Sequence, residues 1–224
     1  MILLIRGHIR NSFKTQDLLN LVKSIIDICP NLKIYIHTWN VFANNISWRH
    51  INIDNDIVTE DIIYDYFCEI KHFIKHIMID DDSKIKLIGN LNGNINNGPM
   101  PIIGWKNYWY GKYKIIDYIY TNNFSNLEES VINFRFDIFN NSNNLDNNSI
   151  IYFIENNIKI NFTKNIFICD TERQGIDNIY IGNINTMYKL IKNFHYDLDN
   201  ILNIHNNTIH QEYLVHRLNS EIFN

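Results

Sequence analysis

The sequence Val-Ile-Asn-Phe-Arg-Phe-Asp-Ile-Phe, at residues 131–139, decides the fold. Side chains of a β-strand point alternately to its two faces, so this stretch predicts a strand with one apolar and one polar face. The apolar face carries Ile132, Phe134, Phe136 and Ile138. Asn133, Arg135 and Asp137 share the other face. A strand this apolar on one face is buried, so the arginine and the aspartate need partners.

Two interpretations of Arg135 and Asp137 stay open at this point. In the first, the strand delivers the Asp137 carboxylate to its own carboxyl end, where α/β proteins commonly hold a metal ion or a catalytic group. In the second, the two side chains form a structural ion pair on an edge strand. The asparagine-rich run at residues 140–148 predicts a solvent-exposed loop after the strand.

The N-terminal region has the pattern of a βαβ unit. Residues 2–5 are a short apolar run that predicts a buried strand, and residues 33–37 predict a second one. Between them, apolar residues recur at helical spacing over residues 13–28, and Pro30 marks the end of that helix. Strand, helix and strand in this order indicate an α/β protein with a mainly parallel sheet.

The loops that follow these two strands are candidate ligand-binding loops, since open α/β sheets bind ligands at the carboxyl ends of their strands. The first loop contains Arg6, His8 and Arg10 just before a helix, and guanidinium and amide groups in that setting suit a phosphate. It has neither the glycine-rich dinucleotide fingerprint nor a Walker lysine motif. The alternative is a solvated turn with two surface arginines. The second loop contains Thr38 and Trp39.

The remaining elements follow from periodicity and from turn residues. Residues 40–55 show no regular pattern, whereas residues 89–101 are rich in glycine, asparagine and proline and predict a flexible loop, suited to a lid. Helices are predicted at residues 59–67, 105–120, 149–155, 186–193 and within 198–223, and strands at residues 74–79, 165–169 and 178–181. The aromatic residues of the 105–120 helix serve mainly in packing, and a ligand platform is the alternative.

Three consecutive aspartates, Asp80, Asp81 and Asp82, close the predicted strand at residues 74–79. Consecutive residues of a strand point in alternate directions, so a shared metal site is disfavoured. A solvated strand end is the favoured interpretation.

Composition excludes several classes of protein. The chain has 224 residues, a formal net charge of −4 and three cysteines without a CxxC pair. The slightly negative net charge argues against non-specific nucleic-acid binding. The cysteines indicate neither a disulfide framework nor a zinc site. The apolar start of the chain is too short for a signal peptide, and no uncharged run is long enough to span a bilayer. We therefore expect a single-domain intracellular protein, located in the cytoplasm (the host cytoplasm if the chain is viral).

Several short motifs occur in a fixed order along nearly the whole chain. They are Gly7-His8-Ile9-Arg10, His37-Thr38-Trp39, the tyrosine-rich helix at residues 108–120, Arg135-Phe136-Asp137, the Asp-X-hydrophobic-X-X-Gly stretch at residues 177–182 and His210-Gln211-Glu212. Through these motifs the chain resembles a group of small polysaccharide-type glycosyltransferases of bacteria and large DNA viruses.

The resemblance implies a GT-A-like (Rossmann-like) fold over residues 1–224, with a nucleotide-binding half at residues 1–130 and an acceptor-side half at residues 131–224. It implies transfer of a sugar from a nucleotide-diphosphate sugar, expected to be UDP-linked, to a glycan or polysaccharide acceptor. In that group a divalent ion, Mn²⁺ or Mg²⁺, usually bridges the diphosphate to an Asp-X-Asp strand end. Here Arg135 replaces the first aspartate, so the need for a metal stays open.

The resemblance also implies roles for individual residues. The donor-binding set is Arg6, Gly7, His8, Arg10, Thr38, Trp39, Tyr108 and Arg135. Asp137 is the expected metal ligand, and Asp177 and Glu212 are the candidate bases for the acceptor hydroxyl if the enzyme is inverting; a retaining enzyme would not need that base, so the stereochemistry stays open. Arg135 would contact the diphosphate directly, because charge that grows on this leaving group needs a cation or arginines beside it.

Two further functions compete with this one. The lost first aspartate favours a non-catalytic nucleotide-sugar or glycan-binding module of the same fold. A phosphoryl or nucleotidyl transferase that uses the same arginines is the third hypothesis, and it would release phosphate or pyrophosphate instead of a nucleoside diphosphate.

Overall fold

Eight strands and six α-helices make up the structure, a computed structural model that describes residues 1–44, 46, 52–95, 98–140, 145–158, 161–171, 174–205 and 211–223. The strands are β1 (Ile2–Arg6), β2 (Lys33–Trp39), β3 (Val41–Ala43), β4 (Asp54–Ile57), β5 (Ile74–Asp80), β6 (Ser130–Arg135), β7 (Ile166–Thr171) and β8 (Gln174–Asn183). The helices are α1 (Asp17–Ile28), α2 (Glu60–Phe67), α3 (Ile102–Asn122), α4 (Asn147–Asn157), α5 (Ile184–His205) and α6 (Gln211–Phe223).

The main sheet has six strands in the order β5-β2-β1-β6-β8-β7. The first four are parallel to one another, and β8 runs antiparallel to both of its neighbours. This arrangement confirms the predicted βαβ unit and the mainly parallel sheet of an α/β domain. The strand order reverses its direction of growth between β1 and β6, and such a switch point opens a crevice at the carboxyl ends of the two strands.

Helices cover the sheet on both faces, which explains why β1 is apolar from Ile2 to Ile5. Leu3 and Ile5 pack into a core shared with α1, α2 and α4, whereas Ile2 and Leu4 pack into the core shared with α3, α5 and α6. A strand that is buried on both faces reads as a continuous apolar run instead of an alternating one.

Alternation also directs the polar residues of the central strands. Arg6 follows Ile2 and Leu4 onto the α3 face, and Arg135 follows Val131 onto the same face. The two arginines are register partners in the parallel pairing of β1 with β6. The sheet therefore brings two guanidinium groups side by side at the switch point.

Strand β6 differs from the prediction in its position and in its end. It lies between β1 and β8, so the interpretation of an edge strand is wrong. It ends at Arg135 instead of residue 139, because its partner β1 ends at Arg6 and the chain turns away at Gly7, which has a φ of 95°. The last backbone bond runs from the Phe136 amide to the Arg6 carbonyl, so Asp137 lies in a turn beyond the strand.

Other boundaries also need correction. Residues 40–55 were expected to be irregular, yet they contain β3 and β4, which form a small antiparallel pair. Helix α1 begins at Asp17 instead of residue 13, after a 3₁₀ turn at Ser12–Lys14. Helix α5 continues to His205, with a non-helical residue at Asp197. Within the described part of the chain, no helix is both long enough and apolar enough to cross a membrane.

The burial of the apolar face of β6 predicts that truncating one of its large side chains lowers the stability of the protein. Phe134 is fully buried in the core against α1, α2 and α4, and we expect Phe134→Ala to lower the free energy of unfolding by about 3–5 kcal/mol. Tyr152→Ala is the matched control, since Tyr152 on α4 is 70% exposed, and its expected effect is within about 0.5 kcal/mol. Urea titrations of both variants measure the difference, and equal losses would contradict this account of the core.

Candidate functional site

A small cavity lies at the carboxyl ends of β1, β2 and β6, beside the first turns of α3. Its volume is about 90 Å³, which suits a phosphate-sized group, since pockets for whole ligands of drug size begin at about 300 Å³. It is lined by every residue of the predicted donor-binding set except Thr38. Thr38 lies behind the wall, where its hydroxyl donates a hydrogen bond to the Gly7 carbonyl over 3.0 Å.

Arg6 forms the back of the cavity and is only 2% exposed. Its Nε donates to Asn133 Oδ1 over 3.1 Å, and its Nη2 donates to the Tyr108 hydroxyl over 2.8 Å. The remaining nitrogen, Nη1, has no hydrogen-bond partner. An unpaired buried N–H group of a charged side chain is costly, so this nitrogen is available for an anionic ligand.

Asp137 joins the other two arginines of the cavity. Arg135 Nη2 donates a hydrogen bond to Asp137 Oδ2 over 2.8 Å, and Arg135 Nε lies 2.7 Å from Oδ1 as an ion-pair contact. Arg10 Nη1 donates to Oδ2 of the same carboxylate over 2.5 Å. The expectation that Arg135 and Asp137 project together is confirmed, and Asp137 is the anion that holds both guanidinium groups in place.

The turn after β1 has an unusual backbone at Arg10. Its φ is 55°, in the left-handed region that non-glycine residues rarely adopt. The Arg10 amide donates to the Phe42 carbonyl of β3 over 2.8 Å, which fixes this conformation. The missed strand β3 thus has a role, since it anchors the turn that carries Arg10 to Asp137.

His8 and Trp39 form one wall of the cavity, with ring centroids 5.8 Å apart and stacked planes. Burial, together with the charge of the nearby Arg10, lowers the pKa of His8 to about 3. The imidazole is therefore neutral at physiological pH and adds no charge to the site. Its buried Nε2 has no hydrogen-bond partner.

The two candidate bases, Asp177 and Glu212, differ in how much of each residue the structure describes. Asp177 is 6% exposed, and its Oδ2 accepts a hydrogen bond of 2.7 Å from the Tyr108 hydroxyl. It lies behind Tyr108 and is not part of the cavity wall. Glu212 belongs to α6, but its side chain lies outside the described residues, as does His210 of the same motif. The roles of both acids stay predictions.

Lys112 lies beside Tyr108, behind the wall of the cavity, although its helical spacing suggested only packing on α3. It is fully buried, and its Nζ lies 4.0 Å from the ring centre of Tyr108 and 4.1 Å from that of Trp109. Burial holds the pKa of this amine well below its usual range, and Arg6 acts in the same direction. A lysine four residues after Tyr108 on a buried helical face was the feature that could have revealed it.

The described residues do not fit a divalent metal ion bound through Asp137. Asp137 is 1% exposed and lies behind Arg10 and Arg135, and no acidic side chain is among the described residues that line the cavity. Mg²⁺ and Mn²⁺ prefer oxygen ligands, so the ion would have to displace two arginines. Breaking a buried ion pair costs about 3–5 kcal/mol, which disfavours that exchange.

The acidic run at the end of β5 is likewise divided among separate partners. Asp80 contacts His37, Asp81 accepts hydrogen bonds from Ser83, and Asp82 accepts one from Asn44. No cluster of metal-binding side chains occurs within the described ranges. The interpretation of a structural strand end therefore agrees with the contacts better than a metal site does.

Comparison with known proteins does not add a family to these observations. Neither a protein-family model nor a curated protein sequence matches this chain. The resemblance to polysaccharide-type glycosyltransferases therefore depends on the short motifs and their order. The function has to be inferred from the cavity and from its three arginines.

The neutral His8 predicts a loss of stability in acid. The folded protein keeps His8 unprotonated down to about pH 3, whereas the unfolded chain protonates it near pH 6.5, so lowering the pH between these values favours unfolding. From about pH 7 to about pH 5, wild type should lose up to about 2 kcal/mol more unfolding free energy than His8→Gln.

Urea titrations of the two proteins across this pH range provide the measurement. His195, whose pKa is lowered to about 4 by burial, is present in both and cancels from the comparison. Parallel pH profiles of the two proteins would show that His8 is not held neutral by its surroundings.

Proposed function

We propose that this protein is a GT-A-like glycosyltransferase that binds the diphosphate of a nucleotide sugar between β1 and β6. The observation that carries the proposal is the convergence of Arg6, Arg10 and Arg135 on one phosphate-sized cavity. Guanidinium groups bind phosphate oxygens through paired, charge-assisted hydrogen bonds. The switch point of the sheet is also the place where α/β folds bind nucleotides.

Unpaired polar atoms around the cavity favour a ligand that carries further hydrogen-bonding groups besides phosphate. Arg6 Nη1, His8 Nε2 and Asn107 Oδ1 are buried without hydrogen-bond partners, and all three residues line the cavity. They offer a charged donor, a neutral ring nitrogen and an acceptor. A phosphate oxygen and adjoining sugar hydroxyls would satisfy all three.

The reaction moves a sugar from the donor to an acceptor hydroxyl. The bond from the anomeric carbon to the diphosphate oxygen breaks, and its electron pair remains on the departing nucleoside diphosphate. The acceptor oxygen forms the new bond to the anomeric carbon and gives its proton to a base. In this proposal the arginines stabilise the charge on the leaving group, and Asp177 and Glu212 are the candidates for the base.

The identities of both substrates are part of the proposal. A uridine diphosphate sugar is the proposed donor, bound mainly by residues of the first half of the chain together with Arg135. A glycan or polysaccharide is the proposed acceptor, on the side formed by residues 131–224. The crevice outside the cavity would hold the base and most of the sugar, since the cavity itself has room only for phosphate and the sugar hydroxyls next to it.

One observation favours the non-catalytic alternative. No carboxylate lines the cavity among its described residues, and the nearby Asp177 is already hydrogen-bonded to Tyr108. A module without a base would bind a nucleotide sugar and leave it intact. Binding without turnover is the result that would favour this alternative over the enzyme.

Incubation with a panel of nucleotide sugars, with release of nucleoside diphosphate as the readout, tests the proposed activity. We expect Arg135→Gln to lower turnover by about 10²–10³-fold, since it removes a preorganised cation from the leaving group. Arg217→Gln is the matched control, because the Arg217 side chain on α6 is 46% exposed and pairs only with its neighbour Glu221 among the contacts described for it. Its expected change is within about twofold.

The products separate the competing functions. Release of free phosphate or pyrophosphate would indicate phosphoryl or nucleotidyl transfer in place of glycosyl transfer. Equal turnover in the two arginine variants would remove Arg135 from the mechanism. Failure to bind any nucleoside diphosphate would reject both the enzyme and the binding module.

A further inference from the structure

The cavity presents positive charge, and none of the described residues that line it carries a carboxylate. Arg6, Arg10 and Arg135 all line it, whereas Asp137 is 1% exposed and lies behind the last two. Two described carboxylates, Asp137 and Asp177, act on these three guanidinium groups, which leaves an excess of one positive charge. That excess complements the negative charge of a diphosphate.

The arginines are also fixed before any ligand arrives. Arg6 is held by Asn133 and Tyr108, and Arg135 is held by Asp137 on one side and by Asn178, which accepts from its Nη1 over 3.1 Å. Preorganised donors of this kind stabilise charge without having to reorganise when the charge develops. In many enzymes a divalent metal ion stabilises the negative charge of a diphosphate in this way.

We propose that this site neutralises the diphosphate of its ligand with Arg6, Arg10 and Arg135, and does so without a divalent metal ion. Asp137 is then a positioning residue, whose carboxylate fixes Arg10 and Arg135 and does not coordinate a cation. The inference rests on the proposed function, because it takes a nucleoside diphosphate as the ligand. It also explains why an arginine occupies the position at which the resembling enzymes carry their first aspartate.

The primary test is calorimetric titration of the full-length protein with uridine diphosphate, in excess EDTA and again in excess Mn²⁺. We expect the dissociation constants in the two conditions to agree within about threefold, since the arginines already supply the charge. Inorganic pyrophosphate, titrated in parallel, should show the same indifference to Mn²⁺. Because this comparison uses the wild-type protein, it does not depend on the folding of any variant.

Variants assign the roles of the charged residues. In EDTA, Arg10→Gln and Arg135→Gln should each weaken binding of uridine diphosphate by about tenfold or more, the usual effect of losing a charge-assisted hydrogen bond. Arg217→Gln should bind like wild type, since Arg217 lies outside the site. Circular dichroism spectra of the variants serve as the control that each one is folded.

Asp137 needs a readout that a general loss of structure would not produce. We expect Asp137→Asn to weaken binding by about tenfold in EDTA and in Mn²⁺ alike, because both arginines lose their anchor. Asp137→Glu keeps the carboxylate and should recover most of the affinity. A metal ligand would behave differently, since its loss would abolish only an increase in affinity caused by Mn²⁺.

Each negative result in these titrations would overturn a different part of the inference or of the proposed function. Binding of uridine diphosphate that appears only with Mn²⁺, and that Asp137→Asn removes, would overturn the metal-free site and leave the proposed glycosyltransferase intact. Unchanged affinity in Asp137→Asn would overturn its positioning role. Absence of binding to uridine diphosphate and pyrophosphate in both conditions would overturn the inference together with the proposed function.

Discussion

The site depends on one constraint, which is that Arg6 and Arg135 are register partners on adjacent parallel strands. Neighbouring strands lie about 5 Å apart, and two like charges at that distance repel by roughly 3 kcal/mol at an effective dielectric constant of about 20. Asp137 pairs with Arg135, while Asn133 and Tyr108 accept hydrogen bonds from Arg6. The polar residues around the switch point are therefore required by the sheet as well as by any ligand.

Helix α3 completes the arrangement, since it covers the face of the sheet onto which both arginines project. Its Tyr108 accepts from Arg6 and donates to Asp177, and so joins β1 to β8 through one hydroxyl group. One turn further on, Lys112 is enclosed by the aromatic rings of the same helix and of Tyr180. The two arginines concentrate positive charge on this side of the sheet, where low solvent exposure makes each charge act more strongly on a bound anion and lowers the pKa of the Lys112 amine.

Alternation along single strands revealed a good part of this site from the sequence. The period of two placed Arg135 and Asp137 on one face, and the βαβ pattern placed Arg6 in a ligand-binding loop at the carboxyl end of a parallel strand. What could not be predicted depends on contacts between distant parts of the chain. Arg10 reaches Asp137 across 127 residues, and the end of β6 is set by the turn of β1 at Gly7. Strands β3 and β4 were not predicted because residues 40–55 lack periodicity. The position of Lys112 next to the site was not predicted because its spacing on the helix is that of an ordinary core residue.

The left-handed backbone of Arg10 has a consequence for how the chain tolerates change. A non-glycine residue in this conformation costs about 1 kcal/mol or more, which glycine or asparagine at the same position would largely relieve. That gain is smaller than the about 3–5 kcal/mol lost when one partner of a buried ion pair is removed, so the contact of Arg10 with Asp137 outweighs the strain. The strained turn and the buried carboxylate therefore constrain each other, because the left-handed arginine is tolerated only while Asp137 is there to bind it.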